Sequence, residues 1–361
     1  MDSTFSPEDF YLWASVGETF QFYYIPILVC LGTVGNCLSV YVFFHCPKMR
    51  HLSSSYYLSA LAISDTIFLL TIFMVWLRFF EIDLFNNEGT CQALIYISGV
   101  CSFLSVWLVV SFTMERFIAV RYPLNQRSVW TVTRAKLVIS SLVIFGVILY
   151  IPLVYLSAIT DHSGTRVCGI EPELADLATK FNYVDTFVTY VAPVTIILFL
   201  NMWIGRIIFH FTKIRREMTL RGNRFGKASD SLKLKYANTI SQKSITKMLL
   251  LVSTVFLCFN FPSYILRIVA YMIEVKAITV RYSYILQQLQ QWCQLLFYTN
   301  FGINFILYCA SGKNFRRALK KLLRIKKQQR TGRSEVIVLT DSRVQSSGSS
   351  LASIRRKLNI L

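Results

Sequence analysis

The sequence predicts an all-α membrane protein: a seven-transmembrane helix bundle followed by a short amphipathic eighth helix. Three observations carry that prediction. Apolar residues make up 54% of the 361-residue chain and charged residues only 16%, which excludes a disordered chain and fits a soluble globule poorly. Seven apolar stretches, at about 22–45, 55–77, 92–114, 136–158, 183–205, 247–273 and 284–309, each reach the roughly 20 residues a spanning helix needs. Basic residues then fall on alternate connections: Lys48 and Arg50; Arg121, Arg127, Arg134 and Lys136; Lys213 to Lys247; and Lys313 to Lys357.

By the positive-inside rule those connections are cytoplasmic, so the N-terminus is extracellular and the expected location is the plasma membrane, crossed many times. The acids sort the other way: Asp2, Glu8, Asp9, Glu18, Glu81, Asp83, Glu88, Asp161, Glu171, Glu173, Asp176, Asp185 and Glu274 all fall on the outer side. The net charge of +19 therefore describes one face. Basic loops beside anionic membrane lipid account for it, and no nucleic acid partner is expected.

Four units are expected in order: an extracellular N-terminal segment 1–21, the bundle 22–310, an amphipathic interfacial helix 311–326 and a disordered cytoplasmic tail 327–361. The first segment is acidic and aromatic and has no basic n-region, so the first span is expected to act as its own insertion signal. No Asn-x-Ser/Thr sequon occurs. Span one carries Gly35-Asn36, and span two carries Leu61-Ala62-Ile63-Ser64-Asp65. An aspartate at mid-membrane costs roughly 2.5–3.5 kcal/mol on insertion scales, so it needs partners or water. Asn36, Ser105, Asn300 and Asn304 are the candidates, in a cluster that holds an ion or a proton or serves only as a polar anchor.

Of nine cysteines, seven lie in spans or at the cytoplasmic edge, leaving Cys91 and Cys168 on the oxidising side. A bridge between them closes a long loop, worth roughly 4 to 5 kcal/mol against the unfolded chain, and ties the second outer loop across the top of span three. Glu115-Arg116 ends span three where the helix reaches water. Pro152, Pro193 and Pro262 interrupt the hydrogen bonding of spans four, five and six. The inner loop 206–246 is basic and is expected to be helical at its ends and mobile in its middle. Beyond span seven, Phe315, Leu319, Leu322 and Leu323 share one helical face opposite basic residues, the pattern of a helix lying on the inner leaflet.

These motifs in this order resemble the rhodopsin-like (class A) G-protein-coupled receptors over residues 22 to about 325: Gly35-Asn36, Leu61 to Asp65, Cys91, Glu115-Arg116-Phe117 with Pro123, Pro193, Phe256 with Pro262, and Asn304-Phe305-Ile306-Leu307-Tyr308. The resemblance implies a receptor that activates a heterotrimeric G protein through helix rearrangement. It makes Glu115, Arg116 and Tyr308 the G-protein switch, Asp65, Ser105, Asn300 and Asn304 a sodium site, Phe256 with Pro193 and Val106 a mid-membrane connector, and Cys91–Cys168 the outer disulfide. Apart from an allosteric sodium ion it implies no cofactor. The serines Ser342, Ser346, Ser347, Ser349, Ser350 and Ser353 suit phosphorylation and arrestin binding, although disordered tails are serine-rich in any case. Four departures stand out: Asn260 where an aromatic toggle is usual, Phe305 in place of the span-seven proline, no tryptophan in span four, and Gln242 where an acid would lock Arg116 to span six.

The family positions also bear on the ligand. Ser98 stands where amine receptors carry an aspartate, and Tyr298 where opsins carry a lysine, so neither a protonated amine nor retinal is expected. The outer mouth offers Trp76, Arg78, Tyr96, Tyr264, Arg267 and the span-seven glutamines Gln287, Gln288, Gln290, Gln291 and Gln294, groups that suit backbone amides. A short neuropeptide is the expected ligand, bound by Trp76, Tyr96, Ser98, Tyr264, Arg267, Gln290, Gln294 and Tyr298, with Arg267 facing its carbonyl, carboxylate or C-terminal amide. The resemblance extends to invertebrate neuropeptide receptors related to FMRFamide and thyrotropin-releasing-hormone receptors, through the run Pro262 to Arg267.

No enzymatic constellation is found: His45, His51, His162 and His210 have neither metal spacing nor a paired nucleophile. The alternative from another class is a seven-span channel or transporter using the Asp65 cluster, although internal repeats and further charged pathway groups are missing.

Overall fold

The computed structural model describes residues 7–47, 49–122, 131–162, 165–222, 250–269 and 280–322. Two compact units are distinguished, Met1–Lys313 and Asn314–Leu361. Span one is the helix Pro7–His45, span two is Ser53–Trp76 continued by a 3-10 turn Leu77–Phe80, span three is Thr90–Arg121 and span four is Val132–Leu156. Span five joins Ala175–Thr186 to Ala192–Gly222 through a π-helical turn, Phe187–Val191. Span six is Leu250–Val269 and span seven is Val280–Ser311. Pro123, Gln242, the middle of the inner loop and the tail 327–361 lie outside the described residues.

Three features differ from expectation. Residues 7–21, expected as an extracellular N-terminal segment, are helical and continuous with span one; Pro7 at the first position lacks an N–H that would have had no partner there anyway. Among the described residues six helices are long and apolar enough to cross a membrane. Span seven is not one of them: Gln288, Gln290, Gln291 and Gln294 crowd amides into its outer half, although it runs unbroken for 32 residues, with Phe305 where a proline would interrupt it. The second outer loop forms a two-stranded antiparallel hairpin, β1 (Ser157–His162) and β2 (Thr165–Ile170), with Cys168 opposite Ile159.

The hairpin sits on span three. Cys91 and Cys168 form the expected disulfide, with a Cα–Cα distance of 5.8 Å. The Cys168 N–H donates to Asn86 Oδ1 at 2.8 Å, and Gln92 Nε2 donates to the Ser157 carbonyl at 3.3 Å. Span three packs on spans two, four and five, while span one packs on two and seven. Hydrogen bonds tie span six to both neighbours: Asn201 Nδ2 donates to Ser253 Oγ at 2.9 Å, and Ser263 Oγ donates to the Cys293 carbonyl at 2.5 Å. Span four buries only Ala135, Gly146, Tyr150 and Leu156, leaving Ile144, Phe145 and Ile148 on its outward face, as a lipid-facing helix requires.

Proline and the π turn of span five are one device. In the wide turn the Ala192 N–H reaches back five residues to the Phe187 carbonyl. The next bond in that register would need an N–H from Pro193, which has none. Trp107 of span three fills the gap, its Nε1 donating to the Val188 carbonyl at 3.1 Å. In the second unit, residues 314–322 are helical, and Phe315 and Ala318 are buried while Arg317, Lys320 and Lys321 are exposed, matching the amphipathic pattern of the sequence.

Spans one and seven touch backbone to backbone. A Cβ built on Gly32 would lie 2.9 Å from the Gly302 Cα and 2.7 Å from Leu69 Cδ1, and one on Gly35 would lie 2.8 Å from the Phe305 Cβ. Small residues permit such close crossings in membranes. Gly32→Val is expected to cost about 1–3 kcal/mol through overpacking, read as a lower unfolding midpoint of the purified protein in detergent. An unchanged midpoint would show that the crossing can spread freely.

Candidate functional site

Functional side chains gather at three levels of the bundle. At the outer end lies a cavity of about 1410 Å³. Trp76, Ser98, Tyr264, Arg267, Gln290, Gln294 and Tyr298, from spans two, three, six and seven, line it as expected, and so do Gln288 and Gln291. Tyr96 is not among the lining residues: its hydroxyl donates to the Val147 carbonyl of span four at 3.0 Å. Helical phase explains this, because the lining positions of span three are Leu94, Ile95, Ser98, Gly99 and Ser102, a stripe at spacings of three and four that passes 96 by.

Arg267 is in the cavity wall but already engaged. Its Nη1 lies 2.9 Å from Asp185 Oδ2, and its Nη2 donates to Asn182 Oδ1. Asp185 also accepts from the Tyr150 hydroxyl at 2.5 Å, and the Asp185 carbonyl accepts from Thr189 Oγ1 at 2.7 Å. Tyr190 stacks on Tyr264 with ring centroids 4.4 Å apart. Spans four, five and six are thus joined by one polar network. From the sequence Asp185 counts only as one more outer acid; its position about two turns before Pro193, inside a predicted span, was the available signal. Arg267, expected to face a ligand carbonyl, carboxylate or C-terminal amide, thus lines the cavity with an acid of the bundle beside it.

At mid-membrane Asp65 is fully buried and accepts from Asn304 Nδ2 at 2.6 Å. Asn300 and Ser105 are buried too, and Asn36 Nδ2 donates to the Phe301 carbonyl at 3.0 Å, so span one meets the cluster indirectly. Asp65 Oδ1 and Ser105 Oγ are both buried, and the Ser105 hydroxyl lies close to the Asp65 carboxylate. Buried side-chain oxygens of Asp65 and Ser105 beside Asn300 and Asn304 fit a hard cation, which prefers oxygen ligands. Asn260, the departure on span six, is buried and turns back on its own helix, its Nδ2 donating to the Phe256 carbonyl at 2.6 Å. Val106 and Phe256 are both buried.

At the inner end Glu115 and Arg116 form a buried ion pair. Arg116 Nη2 also donates to Ser54 Oγ of span two at 3.2 Å. Glu115 is therefore not the only restraint on Arg116: a hydroxyl on span two shares the guanidinium. Tyr308 is fully buried, with its ring 5.7 Å from that of Phe43.

An outer cavity, a buried polar middle and an inner ion pair on one helical bundle define a multi-pass membrane receptor. The chain belongs to the 7 transmembrane receptor (rhodopsin family), whose profile matches residues 35–308. It is similar to neurotensin receptor type 1 of Mus musculus, 27% identical over 190 residues that cover 49% of this chain and 44% of the relative. Pyrokinin-1 receptor of Drosophila melanogaster is 26% identical over 194 residues, covering 52% and 43%. Somatostatin receptor type 2 of Sus scrofa is 24% identical over 306 residues, covering 83% and 76%. The chain thus spans less than half the length of the neurotensin and pyrokinin receptors it matches. Membership in a receptor family sets aside the channel or transporter alternative.

The Arg267–Asp185 pair predicts energetic coupling. The Arg267 side chain is 40% exposed, so the pair is worth less than a fully buried one. Asp185→Asn and Arg267→Gln are each expected to cost about 1 kcal/mol, and the double variant to lose less than their sum by about 0.5–1 kcal/mol. Unfolding midpoints of the purified receptor measure this, and strictly additive losses would show no coupling.

Proposed function

We propose that the chain is a plasma-membrane receptor for a short extracellular neuropeptide and that it signals through a heterotrimeric G protein. The observation that carries this is the pairing, on one span, of an amide-rich outer cavity at Ser98 with a buried, restrained Arg116 at the inner end. Relatives named for neurotensin, pyrokinin and somatostatin support the ligand class. Glutamine and tyrosine side chains both donate and accept, so they can meet the alternating N–H and C=O groups of a peptide backbone. Glu115, Arg116 and Tyr308 form the switch toward the G protein. Arrestin on a phosphorylated tail and lipid at the terminal helix are further proposed partners.

Asp65, Ser105, Asn300 and Asn304 would hold a sodium ion, which supplies a charge that answers Asp65 and links spans two, three and seven. Asp65 and Asn304 already tie spans two and seven, and the ion would add Ser105 of span three. Asp65→Asn is expected to remove any effect of sodium chloride on ligand affinity. A sodium effect that persists would place the cation elsewhere.

Screening amidated and free-acid neuropeptides against cells expressing the chain, with nucleotide exchange on the G protein as readout, tests the main reading. A saturable response to a peptide is expected; a response only to lipids or amines would overturn the ligand class and leave the receptor reading standing. Glu115→Gln removes the charge that opposes Arg116 and leaves Ser54 as its partner. Ligand-free exchange is expected to rise about 5-fold, the factor that roughly 1 kcal/mol of lost restraint gives. No rise at equal surface expression would show that Glu115 does not hold the switch.

A further inference from the structure

Four charged side chains line the outer cavity: Glu18, Arg78, Asp185 and Arg267. Asp185 and Arg267 neutralise each other across spans five and six. Arg78 is different. Among the described residues no carboxylate lies within ion-pair distance of it, Glu18 included.

The position of Arg78 is nevertheless built. It lies in the 3-10 turn Leu77–Phe80 that caps span two, and the turn closes where Glu81 adopts a left-handed φ of 63° and its N–H donates to the Arg78 carbonyl at 3.1 Å. The guanidinium lies 5.4 Å from the centroid of the Phe79 ring, and Phe79 is itself packed edge-on against Phe22 of span one at 5.5 Å. Stacking of this kind limits the rotamers of a long side chain while leaving its N–H groups free. An unanswered cation in a concave, largely apolar recess focuses its field on whatever enters, and the guanidinium fork matches a carboxylate with two parallel hydrogen bonds.

We propose that Arg78 is the anion anchor of the cavity and that the peptide ligand presents a free carboxylate, from its C-terminus or an acidic side chain, to this residue. Arg267 instead holds span six to span five through Asp185. This inference rests on the peptide-receptor reading above and specifies its ligand: an acid-bearing peptide, not one neutral at every end.

The test uses the full chain in membranes with heterotrimeric G protein, and a library of short peptides, each synthesised twice, with all carboxyls free and with all carboxyls amidated. Nucleotide exchange is the readout. Free-acid members are expected to be at least about 10-fold more potent than their amide twins, a difference of ~1.4 kcal/mol in binding. Arg78→Gln is expected to abolish that difference by weakening the free acids, and Arg78→Lys to keep part of it. Arg267→Gln is expected to shift both twins alike. Because Arg78 is exposed, its substitution carries little folding cost, and surface labelling checks that expression matches. Twins of equal potency would overturn the proposal, as would a preference that survives Arg78→Gln or is lost in Arg267→Gln. A library silent in both forms would overturn the peptide reading and this inference with it, whereas responding twins of equal potency would overturn the anchor alone.

Discussion

A charge inside a helical membrane bundle has to be answered by another group, and in this chain the answers connect the spans. Asp65 takes a hydrogen bond from Asn304, joining spans two and seven. Arg116 meets Glu115 on its own helix and Ser54 on span two. Arg267 meets Asp185, which also holds Tyr150, joining spans four, five and six. Bulk attraction between the helices comes from packing, such as the stacked rings of Phe68 and Phe301 at 3.8 Å, because lipid is as apolar as leucine. The polar contacts decide which helix faces which.

This division suits a receptor. Ser98 at the cavity and Arg116 at the inner end stand roughly 27 Å apart along span three at about 1.5 Å per residue, too far for direct contact between them. A rigid helix cannot store two states by itself, so the two-state element has to be the set of contacts around it. The Cys91–Cys168 bridge fixes the outer end of that helix to the hairpin, whereas among the described residues side-chain contacts hold Arg116 at the inner end. One end is covalent and the other is reversible.

Much of this was legible in the sequence, for physical reasons. Apolar runs of bilayer length marked the spans, one mid-membrane acid demanded partners and found Asn304, and two cysteines on the oxidising side found each other. What was not legible depended on phase and on tertiary pairing. Tyr96 and Ser98 are two residues apart, yet only Ser98 reaches the cavity, because a helix turns about 100° per residue and the sequence does not say which stripe faces inward. Asp185 stood among a dozen outer acids until the fold placed it 2.9 Å from Arg267. The hairpin and the extension of span one to Pro7 were missed because short polar segments carry little periodicity.

The π turn at Phe187–Val191 has a consequence for the geometry of span five as a whole. An inserted residue in one turn rotates everything beyond it by about 100° relative to an uninterrupted helix. The inner half seats Asn201 against Ser253, while the outer half turns Asn182 and Asp185 toward Arg267. One helix thereby has two independent azimuths, joined by a wide turn whose stray carbonyl is held by Trp107. The span works less as a rod than as a shaft with a fixed offset coupling, with one facing set for the mouth and another for the trunk.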